Sequence, residues 1–259
     1  MIYVLSDIHG RLDRFEKMLR MIDLRDGDTL YILGDVIDRG KDGIRILQKI
    51  TEMQNVRMLL GNHEYMMMKA LGFPYDGKSD IADEPQNRLL MLWYRTGGEV
   101  THNGWDELTE DEQDKIRKFL LALPLNYDVE VNGQKYKLVH AAPTEEFEKG
   151  SYDDYLNETE FSVWDRAPMM PHLSSAAVEQ PPRYDVMYIF GHTPTPMLQM
   201  EDENIRLVRD PLRFGHPETP SNKIWHHHDR IGVDCGCAMG DRGQLGCLRL
   251  DDMKEYYVK

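Results

Sequence analysis

The chain has 259 residues, 41% of them hydrophobic and 29% charged, with a formal net charge of −14. That balance supports a packed core, and the acidic surplus excludes a general attraction to nucleic-acid or membrane phosphates. Three cysteines, Cys235, Cys237 and Cys247, are too few and too clustered for a disulfide framework and fit a reducing compartment.

Met1 to Leu5 runs straight into Ser6-Asp7, so no signal peptide is expected. No apolar run reaches the length of a membrane span, and the cytoplasm is the expected compartment. One domain over 1–259 is expected, with a helical insertion at about 65–126. Ile2 to Leu5 reads as a short buried strand ending in Ser6-Asp7-Ile8-His9-Gly10. Leu12, Phe15, Leu19 and Ile22 recur at helical spacing. Leu30 to Leu33 is an apolar run closed by Gly34, a strand buried on both faces, and Asp35, Asp38 and Arg39 follow at its end. Ile44, Leu47 and Ile50 mark a second helix, and Val56 to Leu60 a third strand ending in Gly61-Asn62-His63-Glu64. The run is a parallel βαβαβ unit.

Tyr65 to about Asn126 turns helical, with Met66, Met67 and Met68 as core filler. Trp93 to Gly98 reads as a packed helix end and a turn, and Thr109 with Glu112 forms a capping box for a helix stopped by Pro124. Tyr127 to Val131 and Gln134 to Val139 flank Asn132-Gly133, a strong hairpin signal, and the second strand ends in His140. A polar connection from Thr144 to Tyr184 is interrupted by Val163-Trp164-Asp165-Arg166. Val186 to Phe190 is a strand ending in Gly191-His192, and Ile231 to Val233, Cys247 to Leu250 and Tyr256 to Val258 are further strands. Trp225-His226-His227-His228-Asp229 could be a strand-edge loop, an accessory metal site or part of a substrate rim, and a solvated loop is the favoured reading, because three consecutive side chains cannot all face one ion from a regular strand. A βαβ half and a mostly antiparallel half imply an α/β fold, two sheets face to face with helices outside.

Collected together, the strand ends supply Asp7, His9, Asp35, Asn62, His140 and His192. This mixture of carboxylates, imidazoles and a carboxamide suits two divalent ions of intermediate hardness, manganese, iron or zinc, better than calcium or magnesium. Asp35, the central carboxylate, is the natural bridge. Two such ions about 3.5–4 Å apart share a water, lower its pKa and hold a phosphate across both.

Asp7-Ile8-His9-Gly10, Gly34-Asp35-Val36-Ile37-Asp38-Arg39-Gly40 and Gly61-Asn62-His63-Glu64, followed by His140 and Gly191-His192, resemble the signature of the phosphoprotein phosphatase family of metallophosphoesterases. The resemblance implies a four-layer αββα sandwich of the metallo-dependent phosphatase type, with a dinuclear site at the sheet edge. It implies Asp7 and His9 as ligands of a first metal, Asp35 as the bridge, and Asn62, His140 and His192 as ligands of a second. It also implies Arg39 as the phosphate-binding arginine, His63 as proton donor to the leaving oxygen and Asp38 as its orienting partner. Arg166 falls where compact members place a second phosphate-clamping arginine, and a solvated loop arginine is the other reading.

Ser6 stands where many members have glycine, and Ala141-Ala142-Pro143 replaces a glycine-rich turn. The Ser-Ala-Pro-Asn-Tyr of eukaryotic members is absent, while Trp93, Gly97-Gly98 and Thr101 resemble a segment of the compact bacterial-type members. The expected function is a metal-dependent phosphoester hydrolase, a serine/threonine protein phosphatase using two manganese ions and a metal-bridged hydroxide. Its partner would be a phosphorylated protein or a small phosphorylated metabolite. The alternative is a diadenosine tetraphosphatase-like dinucleotide polyphosphate hydrolase, and Asp38 and Glu64 together tilt the expectation toward the monoesterase.

Overall fold

The computed structural model describes residues 1–74, 86–147, 155–169, 185–199 and 221–259. β1 (Ile2–Leu5), β2 (Thr29–Ile32) and β3 (Val56–Met58) pair in parallel. Their crossovers are α1 (Leu12–Ile22) and α2 (Gly43–Glu52), as the helical spacing predicts. α3 (Asn62–Ala70) follows β3 after Gly61, and α4 (Gln86–Arg95), α5 (Glu99–Asp106) and α6 (Glu110–Leu121) come next. Residues 75–85 of the expected helical stretch lie outside the described residues. Thr109 and Glu112 cap α6 reciprocally, as their spacing predicts.

β4 (Asn126–Val131) and β5 (Gln134–Val139) form the expected hairpin, with Asn132 and Gly133 at φ 52° and 81°. α7 (Thr144–Phe147) and α8 (Glu158–Trp164) fall within the polar connection, of which 148–154 and 170–184 lie outside the described residues. β6 (Val186–Phe190) pairs in parallel with β5 and with β8 (Arg230–Gly232), and β7 (Trp225–His227) closes the edge antiparallel to β8. β9 (Leu245–Arg249) and β10 (Lys254–Val258) complete the strands, and the two sheets are ordered β10-β9-β1-β2-β3 and β4-β5-β6-β8-β7.

Two expectations are corrected here. Both sheets are mixed, because β9 and β10 return to pair with β1 in the first sheet instead of extending the second. The histidine run is in part a strand: Trp225–His227 form β7 and His228-Asp229 the turn after it, and alternation turns His226 out to Glu255, 2.8 Å away, while Trp225 is buried and stacks on His227.

Every central strand splits its side chains between two layers with period two. Val4, Leu33, Leu59 and Leu248 of the first sheet face Leu138, Ile189 and Ile231 of the second. Tyr3, Leu5, Leu30, Ile32 and Met58 face Phe15, Met18, Ile44 and Leu47 of the helices. That arrangement is the sandwich of the metallo-dependent phosphatases, and it explains why the parallel strands read as unbroken apolar runs. Because β1, β2, β3, β5, β6 and β8 run the same way within each sheet, their C-terminal loops gather at one edge.

Candidate metal centre

At that edge the loops and the start of α3 deliver Asp7, His9, Asp35, Asn62, His63, His140 and His192, each buried. Asp35 sits in the middle: its Oδ2 lies 3.9 Å from His9 Nε2 and its Oδ1 lies 3.6 Å from His140 Nε2. Asp7 Oδ1 is 3.8 Å from His9 Nε2. Two groups of donor atoms close enough to share an ion form, His9-Asp35-His63 and Asp35-His140-His192, with Asp35 common to both. These groups hold four of the six sequence-derived ligand candidates together with His63, and the other two adjoin them, Asp7 at His9 and Asn62 Oδ1 at 3.0 Å from His140 Nε2. Arg166 stands near them in the loop after α8, exposed, its charge acting on His140 and His192.

Asn62 and His63 are first-turn residues of α3, not strand-end residues. They still diverge, because successive helical residues differ by about 100° in direction. Asn62 Oδ1 faces His140 Nε2 at 3.0 Å and His192 Nδ1 at 2.9 Å. His63 faces the other way, its Nδ1–H donating to Asp38 Oδ2 at 2.6 Å.

The hydrogen bonds assign the tautomers. His9 and His140 donate from Nδ1 to the carbonyls of Ile37 (3.1 Å) and Leu33 (2.6 Å), which leaves their Nε2 lone pairs turned inward. Burial is the main cause holding His9, His63 and His192 well below the usual imidazole value and His140 below it, so all four are neutral. Burial, reinforced by Asp7 and Glu64, pushes the Asp35 carboxyl well above its usual range. A bound cation removes that penalty. His140 Nε2 also meets Asn62 Oδ1 acceptor to acceptor, which a shared cation explains. Neutral inward imidazoles and crowded buried carboxylates are the donor set that divalent ions take.

Arg39, at the open side, donates from Nη1 to His9 Nε2 (3.0 Å) and from Nη2 to His63 Nε2 (3.2 Å). Asp38 is fully buried and does not pair with it. The backbone is left-handed at Asp7, His9, Asp35, Asp38, Arg39 and His192, with φ between 47° and 67°. Such conformations cost about 1–2 kcal/mol each for non-glycine residues and concentrate at functional sites.

Three contributors escaped sequence reasoning. Glu64, the last residue of the third motif, spreads its carboxylate over the amides of Asp35, Val36, Ile37 and Gly61 at 2.8 to 3.3 Å. Trp93 donates its indole N–H to Asp38 Oδ2 at 2.8 Å. Asp234, just past β8, is buried, and burial together with Asp7 pushes its carboxyl well above the usual range. The strand-end rule that found the other donors would have found Asp234 too.

A family model described as calcineurin-like phosphoesterase matches residues 1–196. A symmetrical bis(5'-nucleosyl)-tetraphosphatase of Citrobacter koseri is 25% identical over 296 aligned positions, which cover 99% of this chain and 93% of that one. Its counterpart in Chromobacterium violaceum is 34% identical over 101 residues, so there the chain spans only 36% of the relative's length. Among solved structures, one provisionally assigned as a diadenosine tetraphosphatase superposes with a TM-score of 0.54 at 16% identity, covering 99% of this chain and 92% of that one. A cold-active protein-tyrosine phosphatase of a Shewanella species gives 0.53 at 15% identity, covering 100% and 80%. These two likenesses are of fold.

Proposed function

The chain belongs to the calcineurin-like phosphoesterase family, and on that premise we propose that it hydrolyses a phosphoanhydride bond of a dinucleotide polyphosphate. The observation that carries the chemistry is the convergence of both donor groups on Asp35. The substrate class rests on relatives such as the Citrobacter koseri enzyme, named for that activity and aligned along nearly the whole chain. Asp38 and Glu64, which tilt the sequence toward a monoesterase, lose that weight: Glu64 engages backbone amides and Asp38 engages His63 and Trp93. Both side chains are fully buried.

Asp7, His9 and Asp35 would hold one divalent ion, and Asp35, Asn62, His140 and His192 a second, with manganese the ion proposed. Bound there, the pair supplies electrophilic pull on phosphoryl oxygens and an acidified water. Arg39 offers the planar fork that fits two phosphoryl oxygens, and Arg166 would hold a further phosphate of the substrate. His63, fixed at Nδ1 by Asp38, would present Nε2 to the leaving oxygen and, once Nε2 has itself taken up a proton, pass that proton on. The cytoplasm, whose reducing conditions suit three free thiols, is the proposed setting.

A phosphomonoesterase is the second reading, and the His63–Asp38 contact at 2.6 Å favours it. A protonated leaving oxygen matters most for an alkoxide, whereas a nucleotide departs as a weak base. The test is product analysis with metal-stripped, manganese-reconstituted protein. Two ADP from each diadenosine tetraphosphate, at a kcat/KM well above that for phosphoserine peptides, is expected. Phosphate release from the peptides without ADP from the dinucleotide would hand the site to the second reading, and full turnover without metal would remove both.

A further inference from the structure

We propose that Trp93 is a positioning residue for His63, acting through Asp38, and that the corner between α4 and α5 is the clasp that carries it. This rests on His63 being the proton donor. Three contacts join the corner to the Asp38-Arg39 dipeptide. The Trp93 indole N–H donates to Asp38 Oδ2 (2.8 Å), the Thr101 hydroxyl accepts from the Asp38 amide (2.9 Å), and the Gly97 carbonyl accepts from the Arg39 amide (3.0 Å). Asp38 and Arg39 are both left-handed, at φ 67° and 65°, so the clasp holds a conformation the dipeptide would not keep by itself.

The two glycines allow the approach. A Cβ on Gly97, which has φ +102°, would lie 2.9 Å from Arg39 Cγ, and a Cβ on Gly98 would overlap the Trp93 indole. A tryptophan that only fills a core needs a partner for its N–H, and any carbonyl would serve. Here the N–H aims at the oxygen that His63 Nδ1–H also uses. Two donors on that oxygen, with the Thr101 hydroxyl beside the same carboxylate, fix its rotation. The imidazole plane is then set by a carboxylate that cannot turn.

The test is a double-mutant cycle on two aryl phosphates, p-nitrophenyl phosphate with an easy leaving group and phenyl phosphate with a hard one. Trp93→Phe removes the N–H and keeps an aromatic ring. It is expected to slow phenyl phosphate about tenfold, the value of a hydrogen bond to a charged group, with p-nitrophenyl phosphate within about twofold. Gly98→Ala, which displaces the indole, is expected to reproduce that selectivity. Trp105→Phe, at a buried ring that packs on Phe73 and makes no hydrogen bond to Asp38, lowers stability and leaves the ratio unchanged. In a His63→Asn background, Trp93→Phe should change neither rate further, since a residue acting only through His63 has nothing left to position.

Equal losses on both substrates, or a full additional loss in the His63→Asn background, overturn the proposal. No leaving-group dependence in His63→Asn itself removes the donor role. Dependence in His63→Asn but none in Trp93→Phe leaves the donor standing and removes Trp93. A second readout needs no turnover: the His63 Nδ1–H proton resonance, identified by its loss in His63→Asn, shifts in Trp93→Phe. An unchanged resonance makes Trp93 a core residue only.

Discussion

Glu64→Gln separates the scaffold of the site from its chemistry. Oε2 of Glu64 accepts from the amides of Asp35 (2.8 Å) and Gly61 (3.2 Å), and Oε1 from those of Val36 (2.9 Å) and Ile37 (3.3 Å). Whichever end the amide nitrogen of glutamine takes, two backbone N–H groups then face a donor in a dry interior. Each buried unsatisfied donor costs about 1–3 kcal/mol, so the pair costs about 4 kcal/mol. Native stability is about 5–15 kcal/mol, and a chain of this size loses about 2–4 °C of Tm per kcal/mol. Thermal unfolding of metal-free protein, followed by circular dichroism, is expected to show a midpoint about 8–16 °C lower. Reconstituted protein should also bind less metal, because the loop carrying Asp35 is the one released. A midpoint within about 2 °C of the parent refutes the role given to this carboxylate.

Asp35→Asn should lose metal from both donor groups, which share that residue, whereas Asp7→Asn should retain more; metal content by mass spectrometry after reconstitution checks the order. Arg39→Ala should raise KM and lower kcat, costing about 10²–10³-fold in kcat/KM, and unchanged steady-state kinetics would return Arg39 to an idle surface residue. The three cysteines are buried and free, and burial pushes the Cys237 thiol up to about 11. Because the thiolate is the nucleophile, alkylation of native Cys237 should be slow at pH 8 and rise about tenfold per pH unit toward 11; prompt labelling at pH 8 contradicts that burial.

The strands and ligand candidates were legible because both follow from local rules. Leu30 to Leu33 is apolar throughout since the strand is covered on two faces, and the residues just past such strands must line the edge. Asn132-Gly133 announced its hairpin through the positive φ that both residues adopt. Glu64 was quoted as a motif letter, yet its partners at 35–37 lie nearly thirty residues back, a separation no local pattern encodes. Trp93 and Asp38 are 55 positions apart, so the indole's target was invisible for the same reason. The return of β9 and β10 to β1 likewise depends on pairing across the whole chain. At Trp225–His227 composition misled: polar histidines on an edge strand resemble a loop, since one side needs no core.

The division of the donors between two sheets has one more consequence. Asp7, His9, Asp35 and Asn62 hang from the first sheet, while His140 and His192 hang from the second. What sets the gap between them is the slab of Val4, Leu33, Leu59, Leu138, Ile189 and Ile231, pinned at its rim by the bond from His140 Nδ1 to the Leu33 carbonyl. Coordination distances tolerate only about 0.2 Å of error. Close-packed side chains of fixed volume therefore work as a gauge block between two jaws, and the span offered to an ion is set by aliphatic residues that never touch it.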